Sequence, residues 1–247
     1  MKLKVATYNI CHCGDYEGWK KGMDLPVNIE KTAQAIASLN ADIVGLNEVY
    51  EFGEEERFRD QTKKLANLAG YKYCYFALGN KFEWATIGNA ILSRYPILSV
   101  KEVAVPTIPE EKRAPEENQW YEDRVLLCAD VDVNGKSLRV ISTHFGLNKS
   151  EVLNIVREAC TVIDEKESVV FMGDFNVTPQ SELLAPIYAR LHSAAKDMQN
   201  DEFTFASFAP KIHIDYIFLS KDIKTLGYEV GKRIVSDHRP ITADIEL

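Results

Sequence analysis

Residues 171–179 read FMGDFNVTP. With Val169 and Val170 ahead of it, an apolar run arrives at Gly173 and then presents Asp174 and Asn176, followed by Val177 and Thr178-Pro179. Such a run reads as a core strand. A carboxylate and an amide at its end cost desolvation unless they find partners. Taken alone, the stretch is also an ordinary turn, because Gly-Asp and Asn form turns and Thr-Pro can start a helix. The rest of the chain decides between the two.

The pattern recurs. KVATYNI ends in Asn9, and DIVGLNEV carries Asn47 and Glu48 after an apolar run. LRVISTHFGL contains His144, KIHIDYIFLS contains Asp215, and SDHRPI places Asp237 and His238 before Ile241. Singly, each has a structural explanation as a turn Asn, a cap or a satisfied core His. Together, polar groups at one rim of packed sheets converge on one spot, which is how an active site is built.

Apolar, β-rich segments recur at 2–9, 42–47, 72–77, 87–93, 97–104, 124–133, 137–144, 168–172, 213–219 and 241–246. Many alternate, as in Ser137 to Ser142, so antiparallel sheets with one covered face are expected. Helical spacing marks Pro26 to Leu39, with Asp24 as a cap, then Glu56 to Ala69, then Asn148 to Glu165 with Asn148 and Glu151 as a capping box. A short helix is expected from Pro179. The order is mixed α/β (α+β): two packed sheets with helices outside, as one domain over 1–247. Residues 106–123, with three prolines and many charges, read as an exposed loop. Trp120 and Tyr121 at its end either pack on the core or line a pocket rim.

Asn9, Glu48, Asp174, Asn176, Asp215 and Asp237 are hard oxygen donors, which suit Mg²⁺ or Mn²⁺. His144 and His238 add proton donors or acceptors near neutral pH. The chain has neither a G-x-S-x-G elbow nor a phosphate loop ending in Lys-Ser/Thr. Oxygen ligands with histidines and amides suit metal-dependent hydrolysis of a phosphate ester.

Bulk properties narrow the substrate. The 247 residues are 46% hydrophobic and 27% charged, enough to bury a core without staples. The net charge of −8 disfavours nucleic acid as partner, since non-specific affinity comes from Lys and Arg on phosphates. MKLKVATYNI is expected to be neither a signal peptide nor a membrane span, and no other segment is apolar for long enough to span. Five scattered cysteines argue against a disulfide framework and fit a reducing cytoplasm.

TYNI, LNEV, GNAILSRYPI, STHFGL, GDFNVTP, IDYIFLS and SDHRPI, in that order, resemble the endonuclease/exonuclease/phosphatase superfamily, with DNase I-like nucleases, abasic-site endonucleases and phosphatases among its members. The resemblance runs from Thr7 to Ile241 and is most specific in GDFN and SDHRP. It implies a four-layer α-β-β-α sandwich of two mixed, mainly antiparallel sheets. It implies Glu48 as the main metal ligand with Asn9 and Asp237 nearby, and Asp174 as the group that orients or deprotonates water. Asn176 would contact the phosphate. His238, held by Asp215, would contact the scissile phosphate, with His144 on the phosphate or leaving-group side. The second motif usually reads LQEV; Asn47 replaces the Gln here, and its shorter amide is expected to alter how Glu48 is buttressed.

Weaker signals remain. Cys11-His12-Cys13 invites a zinc site, but consecutive strand residues point to opposite faces and no second Cys/His pair sits at ligand spacing. A reduced Cys pair packing near the strand end is the expectation. Lys20-Lys21 and Arg124 are candidate cationic contacts to a substrate phosphate. Arg94 is expected in a structural salt bridge, and His213 either touches substrate or is partly exposed. Every catalytic residue type is present, which disfavours a binding module without activity. A hydrolase of a small or lipid-like phosphate ester is favoured over a nuclease.

Overall fold

Leu3 and Val5 face one apolar core, and Ala6 and Tyr8 face another, so the first strand is covered on both sides. The computed structural model describes residues 1–20, 26–117 and 120–247, with the side chains of Trp19 and Lys20 outside that description. Asp24 and Lys21 lie outside the described residues. The strands are β1 Lys2–Asn9, β2 Ile43–Glu51, β3 Tyr73–Lys81, β4 Thr86–Ser93, β5 Ile97–Val105, β6 Arg124–Val133, β7 Lys136–His144, β8 Val169–Asp174, β9 His192–Ser193, β10 Asp215–Leu219, β11 Lys224–Val230 and β12 Ile241–Glu246. The α-helices are α1 Tyr16–Lys20, α2 Ile29–Ser38, α3 Gln61–Ala69, α4 Lys149–Ile163, α5 Ala185–Tyr188 and α6 Ala194–Asp197.

One sheet has the order β11-β12-β1-β2-β4-β3, the other β5-β6-β7-β8-β10-β9. Most pairs are antiparallel. The two parallel pairs, β1–β2 and β7–β8, are crossovers through α2 and α4. Between the sheets lie Leu3, Val5, Ile43, Ile91, Val140, Val170, Met172 and Ile217. Outside the first sheet, Ala33 and Ile36 of α2 and Leu65 of α3 cover Tyr8, Val44 and Leu46. Outside the second, Val152, Ile155 and Val156 of α4 and Ile187 of α5 cover Ile141, Phe171 and Phe218. The result is the four-layer, DNase I-like α-β-β-α sandwich. Among the described residues no helix is long and apolar enough to cross a membrane.

The capping box at Asn148 and Glu151 forms as its spacing requires. Other boundaries differ. The helix expected from Pro26 starts at Ile29, because residues 26 and 27 pair with 14 and 15; Asn28 caps it, accepting from the Lys31 N–H at 2.9 Å. The helix expected from Glu56 is interrupted at Asp60, whose φ is +53°, and restarts at Gln61. In place of a helix starting at Pro179 there is a turn, with α5 following at Ala185. β9 has two residues, and β11 is a half-exposed edge strand broken at Gly227; neither offers an apolar run for sequence to reveal. Trp120 is exposed and Tyr121 half-buried, where the Arg113 guanidinium lies 4.2 Å from its ring.

Candidate active site

Strand periodicity builds the site. Val170 and Met172 face the space between the sheets, and Asp174 continues that series on β8. Ile217 and Leu219 do the same on β10, which puts Asp215 on that face; Val140 does so on β7 ahead of His144. On β1, Leu3 and Val5 lead to Asn9. Register aligns these ends: Asn9 pairs with Asn47, His144 with Asp174, and Asp215 with Asp174. All the inner faces therefore turn polar at the same rim.

Two irregularities finish the arrangement. β2 bulges between Leu46 and Val49, and Glu48 within the bulge has φ +56°. Val49 returns to the outer core, and Glu48 is turned inward toward Asn9. Gly173, with φ +147°, is the second: a Cβ there would meet the Thr143 carbonyl oxygen at 1.9 Å. Only glycine lets β8 approach β7 so closely just before Asp174.

Asp174 is the hub. Its Oδ2 accepts from Asn9 Nδ2 at 3.1 Å and lies 3.4 Å from His238 Nε2 and 3.5 Å from His144 Nε2. Its Oδ1 accepts from the Asn176 N–H at 3.0 Å, and its own N–H donates to Asn47 Oδ1 at 3.1 Å. Asn47 also donates to Asn89 Oδ1 at 2.8 Å and to the Thr143 carbonyl at 2.7 Å. Asn47 thus bolts one sheet to the other beneath Asp174, and the contact to Glu48 comes from Asn9 Nδ2 at 2.9 Å. Asn9 Oδ1 accepts from the Cys11 N–H at 3.1 Å, which fixes the amide and leaves that oxygen one lone pair. Asp237 follows Ser236, whose hydroxyl bonds Asp237 Oδ1 at 3.0 Å and the Asn9 carbonyl at 2.8 Å.

The two histidines are driven apart. His238 is buried, which opposes charge, but Asp215, Asp174 and Asp237 outweigh burial and hold its pKa at about 10. Burial, then the Arg124 and His238 cations, push His144 well below the usual range, so it is neutral at pH 7. Arg124 Nη1 lies 3.3 Å from His144 Nδ1, and Asn176 Nδ2 lies 3.2 Å from Nε2. Both neighbours are donors. A neutral ring accepts from one of them, leaving the other for a further acceptor such as an anionic oxygen. Burial, and behind it the Asp215 charge, raise Asp174 to about 7 against the pull of His238. Glu48 is also raised, first by burial and then by the charge of Asp237. Carboxylate oxygens such as those of Glu48 and Asp237 suit a hard divalent cation, while Asn9 turns its Nδ2 toward Glu48 and its Oδ1 toward the Cys11 N–H.

Of the weaker candidates, Arg124 belongs to the site, paired with Glu122 at 3.0 Å. Arg94 sits in a salt bridge with Asp42 at 3.4 Å, as expected of a structural residue. His213 is buried rather than partly exposed; it bonds the Glu202 carbonyl at 2.9 Å and packs on Tyr216. Asn89 was not singled out by sequence reasoning; its signal is an amide inside GNAIL, donating to the Val125 carbonyl at 2.9 Å. Phe205 was also missed; its ring centroid lies 4.8 Å from that of His238.

Known proteins share this frame. A structure of an endonuclease/exonuclease/phosphatase from Beutenbergia cavernae superposes with a TM-score of 0.78 at 23% identity, covering 100% of this chain and 72% of that one. A mannosyl-6-phosphatase from Bacteroides thetaiotaomicron superposes with a TM-score of 0.76 at 16% identity, covering 99% and 100%. The uncharacterized protein YbhP of Escherichia coli strain K12 is 28% identical over 267 residues, spanning 99% of this chain and 96% of that protein. The sequence model of the Endonuclease/Exonuclease/phosphatase family matches residues 6–238, so the chain belongs to that family.

Proposed function

We propose that the chain is a Mg²⁺- or Mn²⁺-dependent hydrolase of a small or lipid-like phosphate ester. The observation that carries this is the placement of the buried Asp174 carboxylate within 3.5 Å of Asn9, His144 and His238, where burial raises its pKa above the usual carboxylate range. A carboxylate made more basic in this way suits the activation of water. His238, cationic at neutral pH, faces the same oxygen and supplies positive charge to a phosphoryl group. Asp215 holds its ring. Asn176 and Arg124 offer further donors to phosphate oxygens, with neutral His144 between them. Glu48 and Asp237, with Asn9, would hold the cation, which when bound supplies Lewis-acid stabilisation of charge on the phosphate.

A metal-dependent activity panel tests the assignment, with phosphomonoesters, phosphodiesters, abasic DNA and plasmid DNA as substrates. Turnover of small or lipid-like esters that stops with EDTA is expected. Turnover confined to the DNA substrates would replace this function by a nuclease, and metal-independent turnover would remove the metal from it.

A further inference from the structure

Strand alternation would separate Cys11 from His12, but β1 ends at Asn9, before either is reached. Cys11, His12 and Cys13 instead form a tight turn with φ of +42°, +47° and +65°. Left-handed backbone costs roughly 1–2 kcal/mol per non-glycine residue, so three in succession need support. Gln61 gives it: buried on α3, it donates to the His12 and Arg57 carbonyls at 3.1 and 2.8 Å and accepts from the Tyr50 N–H at 2.9 Å. The His12 ring also lies 5.2 Å from that of Tyr50.

The turn brings two soft or borderline donors to the inward-turned Glu48. Cys11 Sγ is 3.9 Å from His12 Nδ1, and one ligand atom from each of Cys11, His12 and Glu48 lies within 4.8 Å of the others. A tetrahedral zinc ion, with bonds of about 2.3 Å to sulfur and about 2.0 Å to nitrogen and oxygen, has donor–donor edges of about 3.3–3.6 Å. Binding would therefore draw the three donors closer together than they stand here, Glu48 against its bond from Asn9. Cys13 is not part of the group; its side chain is buried in the outer core of the first sheet.

We propose that Cys11, His12 and Glu48 form a zinc site with an open fourth position, separate in ligand type from the oxygen-donor set of Glu48, Asn9 and Asp237. Thiolate and imidazole select Zn²⁺ strongly over Mg²⁺. The two sites share Glu48, so zinc occupies the carboxylate on which the hard cation depends. That competition rests on the hard-cation role given to Glu48 above; zinc binding itself does not.

The test uses the full chain stripped with EDTA and reduced, titrated with Zn²⁺ against a chromophoric chelator and with Co²⁺ by absorbance. One equivalent of tight zinc is expected, with a thiolate-to-cobalt charge-transfer band in the near ultraviolet. Cys11→Ser should abolish the band and weaken zinc by about 100-fold or more, and His12→Ala by at least about 10-fold. Cys74→Ser, which removes a thiol elsewhere, should leave both unchanged. Millimolar Mg²⁺ should not displace zinc from wild type. Absence of the band in the wild-type protein overturns the site whether or not the variants fold. So does zinc affinity that survives Cys11→Ser, or that is lost only on changing Asp174, which would place the ion at the Asp174–Asp215–His238 group instead. Failure of the phosphoesterase assignment leaves this measurement untouched, since it reads no turnover.

Discussion

Both carboxylate oxygens of Asp215 lie against Nδ1 of His238, at 3.1 and 3.0 Å. Both side chains are buried, and the opposite edge of the ring faces Asp174 at 3.4 Å. Asp215 therefore fixes the orientation of the ring and the charge it presents. Asp215→Asn keeps size and hydrogen bonding but removes the charge. It should lower kcat by about 10²–10⁴ with little change in the melting temperature. Asp174→Asn should cost at least as much, and the double variant should fall well short of the product of the two losses, because the groups act as a unit. Near-wild-type turnover in Asp215→Asn would mark the pair as structural.

The same contacts set a pH dependence in the metal-free protein. The folded pKa of His238 is raised from 6.5 to about 10, so its contribution to stability is fully present below about 6.5 and is lost as pH rises through 10. Asp174 is raised from 3.8 to about 7, the reverse of the usual carboxylate. The folded state then binds its proton more tightly, and stability is lost as pH rises from 3.8 through 7. In EDTA, Asp174→Asn should gain melting temperature on wild type between pH 5 and pH 8. A constant difference across that range would show that burial does not penalise the Asp174 charge.

Much of this site is legible in the sequence because strand alternation is simple. Asp174, His144 and Asn9 each follow an inward-facing apolar residue by an even number of positions, and Asp215 precedes Ile217 and Leu219 in the same way, so their common rim can be read from the chain. The rest is set by departures from alternation. Glu48 faces inward because of a bulge, and Cys11 and His12 approach it because of a left-handed turn held by Gln61. Neither has a local signature, since each depends on contacts with residues distant in the sequence. The role of Asn47 was likewise hidden: its amide reaches across to Asp174 and Thr143 of the other sheet.

Metal removal gives a third expectation. EDTA should abolish turnover, and Mg²⁺ or Mn²⁺ should restore it. Glu48→Gln keeps the shape of the side chain and removes its charge, so it should weaken Mg²⁺ binding more than any other single change in the oxygen-donor set. Calorimetric titration of the EDTA-stripped protein checks this apart from activity. Unchanged Mg²⁺ affinity in Glu48→Gln would place the cation elsewhere.

Gly173 makes a stability prediction independent of catalysis. An added Cβ would overlap the Thr143 carbonyl at 1.9 Å, and the backbone of β7 cannot yield without breaking the β7–β8 pairing. Gly173→Ala should cost about 3 kcal/mol or more, which is about 6–12 °C in melting temperature for a chain of this size. Gly70, with φ +81° and open space around it, is the control. Gly70→Ala carries only the left-handed backbone penalty, about 1 kcal/mol, or about 2–4 °C. Equal shifts for the two would show that β8 has room to retreat.

Charge decides the last expectation, which concerns nucleic acid. The chain carries 29 basic and 37 acidic residues. Beside the site, the cavity lined by Glu48, Asn89, Arg124 and His144 is also bordered by Glu122 and Asp123. Arg124 is paired with Glu122, so part of its charge is already neutralised. A duplex would bring its phosphates against these carboxylates, and among the described residues lining this cavity Arg124 is the one cation. Non-specific duplex should bind no tighter than about 10⁻⁵ M near physiological salt, and more weakly still as salt rises. An anisotropy titration at two salt concentrations measures this. Sub-micromolar binding to plain or abasic duplex would outweigh the charge argument and make DNA the substrate to pursue.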